Sequence, residues 1–151
     1  MRSKKGFTLI EVLLVIAVIG LLAAILTMRA VNISSIAKNR QAEMNLKILK
    51  TAVESYAIDN GQIPVTANFA NGLESTKTRL VSSIPSDPWN PTAQLQYITD
   101  GGSPPTYYAI WSVGSSGTGS VSVTTTGNGT ATATGSPVYV SNCAVNNNNL
   151  P

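Results

Sequence analysis

The sequence predicts an α+β chain: one long N-terminal helix packed on a small antiparallel β-sheet head. Three observations carry that expectation. No proline occurs before Pro64, so nothing breaks a helix over the first sixty residues. Ala42, Leu46, Leu49, Val53 and Tyr56 recur at spacings of four, three, four and three, one face of an amphipathic helix. Beyond Pro85 the pattern changes to short β-branched and aromatic runs separated by Gly- and Asn-containing turns.

The first half of the helix is apolar nearly all round. From Phe7 to Leu26 the only polar side chains are Thr8 and Glu11. Twenty helical residues span about 30 Å, the thickness of a bilayer core. Arg2, Lys4 and Lys5 precede this run and favour a cytoplasmic N-terminus, a bias that Arg29, Lys38 and Arg40 weaken. An ordinary secretory signal fits poorly, because the run exceeds the usual apolar core of about 7–15 residues. The small residues Ser35 and Ala37 lie well past its end.

Glu11 is the informative residue. An ionised side chain in a hydrocarbon span costs kilocalories unless it is paired or near the interface. A plain lipid anchor gives no reason for an acid there. A cut between Gly6 and Phe7 gives one, since it creates a cationic amine on Phe7. Glu11 of a neighbouring copy can pair with that amine, neutralise both charges and fix an axial offset between neighbours.

The second half carries one apolar stripe and is expected to pack on the head. Glu43 and Lys47 stand at i,i+4 spacing. Asn60-Gly61, with Pro64 just after, marks the stop. Gly20 admits two readings, local unwinding or close helix packing. Asn32-Ile33-Ser34-Ser35 interrupts the apolar pattern and is expected to bring some flexibility.

Residues 61–87 read as a connection with a short helix from Glu74 to Ser83, ended by Pro85. Ser86-Asp87-Pro88-Trp89-Asn90-Pro91 is a rigid turn, two prolines fixing φ, with Trp89 expected to plug the head's core against the long helix. Strands are expected over Leu95–Ile98, Tyr107–Val113, Val121–Thr126, Thr130–Thr134 and Val138–Val140, with a frayed tail from Asn146.

Composition narrows the chemistry. There is no histidine, so His-activated nucleophiles and the commonest metal ligand are missing. The remaining acids are scattered, and no phosphate-cradling glycine loop occurs. No enzyme activity is expected. Net charge is +3, but without Arg2, Lys4 and Lys5 seven basic side chains face seven acidic ones, which leaves no footprint for nucleic acid. Cys143 is the one cysteine, either an idle buried thiol or an intermolecular bridge. Asn32-Ile33-Ser34 and Asn128-Gly129-Thr130 match the N-glycosylation pattern, as short stretches do by chance, and the Ser/Thr-rich loops either carry glycans or are bare polar loops.

Lys4-Lys5-Gly6-Phe7-Thr8-Leu9-Ile10-Glu11, followed by Val12-Leu13-Leu14-Val15-Ile16, resembles the leader of type IV pilins and type II secretion pseudopilins. The resemblance implies a pilin-like fold and cleavage after Gly6 by a prepilin peptidase. It also implies N-methylation of Phe7 and an assembly role for Glu11. A second stretch, Asp87-Pro88-Trp89, Pro91, Tyr97 and Tyr108-x-Ile110-x-Ser112-x-Gly114, resembles the C-terminal half of major secretion pseudopilins. In that family a following acidic loop binds Ca²⁺. Here the loop is Ser115-Ser116-Gly117-Thr118-Gly119-Ser120, with no carboxylate, so no cofactor is expected. The loop and the Thr-rich segment after it leave open a pilin of another branch, whereas the single cysteine, which cannot form the C-terminal disulfide of many type IV pilins, favours a pseudopilin-like or disulfide-free pilin.

The expected organisation is a cleaved leader at 1–6, a membrane and assembly segment at 7–28, an amphipathic helix at 29–60 and a β-rich head at 61–151. The resemblance implies a self-assembling helical filament, periplasmic or at the cell surface. Before assembly the subunit would sit in the inner membrane, its helix in lipid and its head outside the cytoplasm. Expected partners are further copies, the peptidase, a platform protein, an assembly ATPase and minor pilins. A membrane-tethered binding module that does not polymerise is the alternative, and it leaves Glu11 unexplained.

Overall fold

The computed structural model describes the backbone of residues 6–74 and 80–145, and their side chains apart from 28–32 and 144–145. Residues 1–5 of the leader, 75–79 of the expected second helix and the tail from Asn146 lie outside the described residues. The chain divides into two compact units, Met1–Ala37 and Lys38–Pro151. One helix, α1 (Leu9–Asn60), contributes to both.

In the first unit, Leu9–Thr27 has a mean hydropathy of 3.0 and none of it is buried, so it is long and apolar enough to cross a membrane. The helix runs unbroken through Gly20, whose absent side chain faces open space. It also runs unbroken through residues 32–35.

In the second unit the apolar stripe of α1 is the floor of the core. Ala42, Leu46, Leu49 and Val53 are fully buried, and Tyr56 packs beside them. Burying each large aliphatic side chain contributes about 1.5–3 kcal/mol. Glu43 pairs with Arg40 at 3.0 Å rather than with Lys47, and Lys50 lies 3.8 Å from Glu54. These exposed pairs contribute at most about 1 kcal/mol each. The helix stops where expected. Gly61 takes φ +73 and its N–H bonds the Ala57 carbonyl.

The connection differs from expectation. A 3₁₀ turn (Thr66–Asn68) leads into α2 (Phe69–Glu74), so the short helix ends where the sequence pattern starts it. Residues 80–83 are not helical. The reason is packing: Phe69 and Leu73 are the residues that reach the core, and Phe69 stacks on Tyr97 with ring centroids 4.1 Å apart. Trp89 also departs from its expected place. It is half-buried and lies outside the core cluster, its Nε1–H donating to Asn39 Oδ1 at 3.0 Å and the Lys38 ammonium 5.1 Å from its ring. An indole N–H needs a polar partner, which an apolar core does not offer.

Six strands follow. β1 (Gln96–Thr99), β2 (Tyr108–Ser112) and β5 (Val138–Ser141) form an antiparallel sheet in the order β1-β2-β5. β3 (Ser120–Thr124) and β4 (Thr130–Thr134) form an antiparallel hairpin, and β6 (Ala144–Val145) adds to β4 in parallel. The α+β, pilin-like expectation holds, with two sheets and one parallel pair as the refinement. β2 is the centre, because alternate residues serve two cores. Tyr108 and Ile110 join the α1 stripe, while Ala109 meets Val121, Ala131 and Cys143 of the second cluster.

Candidate functional site

The site residues named from sequence lie at the start of α1. Gly6, Phe7 and Thr8 are non-helical and exposed, so the Gly6–Phe7 bond sits in open chain. Phe7 is 83% exposed. Thr8 immediately precedes Leu9, the first helical residue, which makes Thr8 the N-cap and Glu11 the third residue of the helix. Glu11 Oε2 accepts from the Thr8 N–H and the Thr8 hydroxyl, both at 3.3 Å. The Glu11 N–H in turn donates to Thr8 Oγ1 at 3.4 Å. This is a capping box, and it answers donors that α1 would otherwise leave orphaned.

The geometry changes the reading of Glu11. The carboxylate has a local reason to be there, worth about 1 kcal/mol together with the favourable helix dipole. The Thr8-x-x-Glu11 signature of this box is legible in the sequence. Yet the three bonds are long, and the carboxylate already reaches back to the residue next to Phe7. A charged amine on Phe7 is a stronger partner than two neutral donors. The structure brings Glu11 and Thr8 together and leaves Gly6 and Phe7 open to solvent.

A second polar centre, in the head, was not foreseen as one. Asp87 is 1% exposed. Its Oδ1 accepts from the Trp89 N–H at 2.9 Å and the Ser112 hydroxyl at 2.6 Å, and its Oδ2 accepts from the Val113 N–H at 2.8 Å. It ties the proline-rich turn to the end of β2. Only the Trp89 bond was visible locally, as an Asp two residues upstream. Ser112 lies too far along the chain for sequence reasoning to find.

The remaining groups are structural. Burial, then the neighbouring Tyr108, Asp100 and Tyr56, pushes the Tyr97 hydroxyl well above its usual range, and Tyr97 Oη donates to the Pro64 carbonyl at 2.7 Å. Burial also raises Tyr108, helped by Glu54 and Cys143. Cys143 is buried, its thiol pushed up mainly by that burial and lying 3.8 Å from the Tyr108 carbonyl. A buried, protonated thiol favours the idle reading over a bridge. A groove of about 490 Å³ between α1 and β5 is lined by Glu43, Lys47, Ser115 and Ser136 among others.

Comparison with known proteins extends both resemblances. Residues 1–27 match the prokaryotic N-terminal methylation motif. Residues 29–125 match the family described as type II secretion system (T2SS), protein G. That match spans the carboxylate-free loop and strand β3 and ends before β4. The chain is similar to type II secretion system core protein G of Pseudomonas aeruginosa, 30% identical over 128 residues, which cover 77% of this chain and 87% of the relative. The protein of the same description from Vibrio cholerae is 28% identical over 111 residues, covering 67% and 75%. That of Escherichia coli K12 is 29% identical over 101 residues, covering 58% and 68%. No solved structure matches the chain. With the family match covering most of its length, including the amphipathic half of α1 and most of the α+β head, and an apolar helical segment ahead of it, the chain belongs to the protein G family of type II secretion pseudopilins.

Proposed function

We propose that this chain is processed between Gly6 and Phe7, N-methylated on Phe7 and polymerised through its N-terminal helix into a secretion filament. The observation that carries the reading is the juxtaposition at the start of α1: an open Gly6–Phe7 bond and a single acid, Glu11, facing back towards it. On this account residues 1–6 are the leader, 7–28 the assembly segment, 29–60 the amphipathic half and 61–151 the head. Moving an apolar helix from lipid to protein neighbours gains little by hydrophobicity, since lipid tails are as apolar as leucine. Register therefore falls to the one charge pair available, Glu11 of one copy and the Phe7 amine of the next. Assembly exchanges the long Thr8 bonds of Glu11 for that pair. The peptidase, a platform protein, an assembly ATPase and minor pilins are the machinery this reading requires, with the head on the extracytoplasmic side.

The capping box favours one competing reading, a tethered module in which Glu11 only starts the helix. Two variants separate them. Glu11→Ala should abolish filaments while leaving the chain membrane-inserted. Thr8→Val removes the capping hydroxyl and keeps the acid, so filaments should persist. Normal filament yield from Glu11→Ala would leave capping as the only role of Glu11.

A further inference from the structure

The Ca²⁺ ion that the family resemblance implies does not fit the residues present. Ca²⁺ takes about six to eight oxygen ligands, carboxylates prominent among them. The loop at 115–120 offers only hydroxyls and carbonyls, and one of these, with the two carbonyls just before the loop, is already used. Gly114 O accepts from Gly117 N–H at 3.0 Å, Val113 O from Gly119 N–H at 2.9 Å, and Ser116 Oγ from Thr118 N–H at 3.4 Å. Among the described residues no three His, Cys, Asp or Glu side chains gather.

We propose that this head orders its loops with carboxylate-to-backbone staples and a Thr-rich hairpin, and needs no metal to do so. Outside α1 the head has three carboxylates, Glu74, Asp87 and Asp100. Each accepts from backbone N–H groups beyond its immediate neighbours. Glu74 holds Ile84 N–H at 2.8 Å, and Asp87 holds Trp89 and Val113. Asp100 holds Gly102 and Thr106, both at 3.3 Å. Each staple takes up acceptor capacity that a cation would otherwise use.

The loop's ends are closed by backbone instead. A Cβ on Gly114 would run into the Ser136 carbonyl, and one on Gly119 into the Val113 carbonyl and Pro137, so only glycine fits at either end. The segment beyond is ordered by pairing and burial. β3 and β4 pair over five positions from Ser120↔Thr134 to Thr124↔Thr130, and the hairpin buries Val121 and Ala131 against Ala109. This inference concerns the head and stands apart from the assembly reading.

Thermal unfolding of the full chain in detergent, followed by near-UV circular dichroism, tests it. Tm should agree within about 1 °C between excess Ca²⁺ and EDTA, whereas a site filled at a hundred times its Kd would raise Tm by roughly 10 °C. Asp87→Asn turns a charged double acceptor into an amide and should lower Tm by more than about 5 °C in both buffers. Asp100→Asn, at a half-exposed turn, should lower it by less and equally in both. A Tm raised by Ca²⁺, an unchanged Asp87→Asn, or an Asp100→Asn loss that Ca²⁺ restores would each overturn the proposal.

Discussion

Gly114 and Gly117 hold nearly the same left-handed backbone, φ +70 and +71. Their surroundings are opposite. A methyl on Gly114 would overlap the Ser136 carbonyl oxygen, while one on Gly117 meets nothing within 4 Å. The pair therefore separates conformational cost from packing cost. A side chain in this region costs about 1–2 kcal/mol, partly offset by about 0.4–1 kcal/mol from a stiffer unfolded chain. Gly117→Ala should then lose about 1 kcal/mol. Gly114→Ala carries the same cost and must also push two backbone segments apart, about 1–3 kcal/mol more. For a domain near a hundred residues each kcal/mol lowers Tm by about 4–8 °C. Near-UV circular dichroism, in which Trp111 and Tyr139 of the second cluster report, follows both variants. Gly114→Ala should melt at least about 4 °C below Gly117→Ala. Equal losses would show that the closure of the loop against Ser136 is not part of the folded head.

Two other perturbations probe the core. Leu49→Ala removes a fully buried side chain from the α1 stripe and should cost about 2–5 kcal/mol, whereas Ile48→Ala, one residue away and 54% exposed, should stay within about 0.5 kcal/mol. Comparable losses in chemical denaturation would mean that the helix presents another face to the head. Tyr97 and Tyr108 ionise above their ordinary value of 10.0, chiefly through burial. A folded value above the unfolded one stabilises fully below pH 10 and is lost as pH rises beyond it. Alkaline titration should show tyrosinate absorbance and loss of near-UV signal rising together, and two core tyrosines titrating near pH 10 in a head still folded would contradict this.

Periodicity made α1, its stripe and its stop legible, since one helix face repeats over many turns and Gly61 ends it. The strand runs around Tyr108–Ser112 and Thr130–Thr134 were equally plain. What sequence could not supply is what tertiary contact decides. The second helix falls at Phe69–Glu74 because Phe69 has Tyr97 to stack on, and no local pattern encodes that partner. Trp89 leaves the core because Asn39, fifty residues earlier, satisfies its N–H. β6 is two residues long and pairs in parallel with a distant strand, too short for any alternation to register. At the candidate site the case differs. Thr8-x-x-Glu11 stands in plain view as a capping signature, while the apolar run around it points equally to an intermolecular partner for the acid, and only the geometry shows the cap.

The account rests on an amine that exists only after the leader is removed. Intact mass spectrometry of the subunit drawn from filaments of the native host measures this directly. The account predicts a chain that begins at Phe7 and carries a methyl group on its terminal nitrogen. Filament subunits that still begin at Met1 would contradict it, because Glu11 would then have no amine to meet.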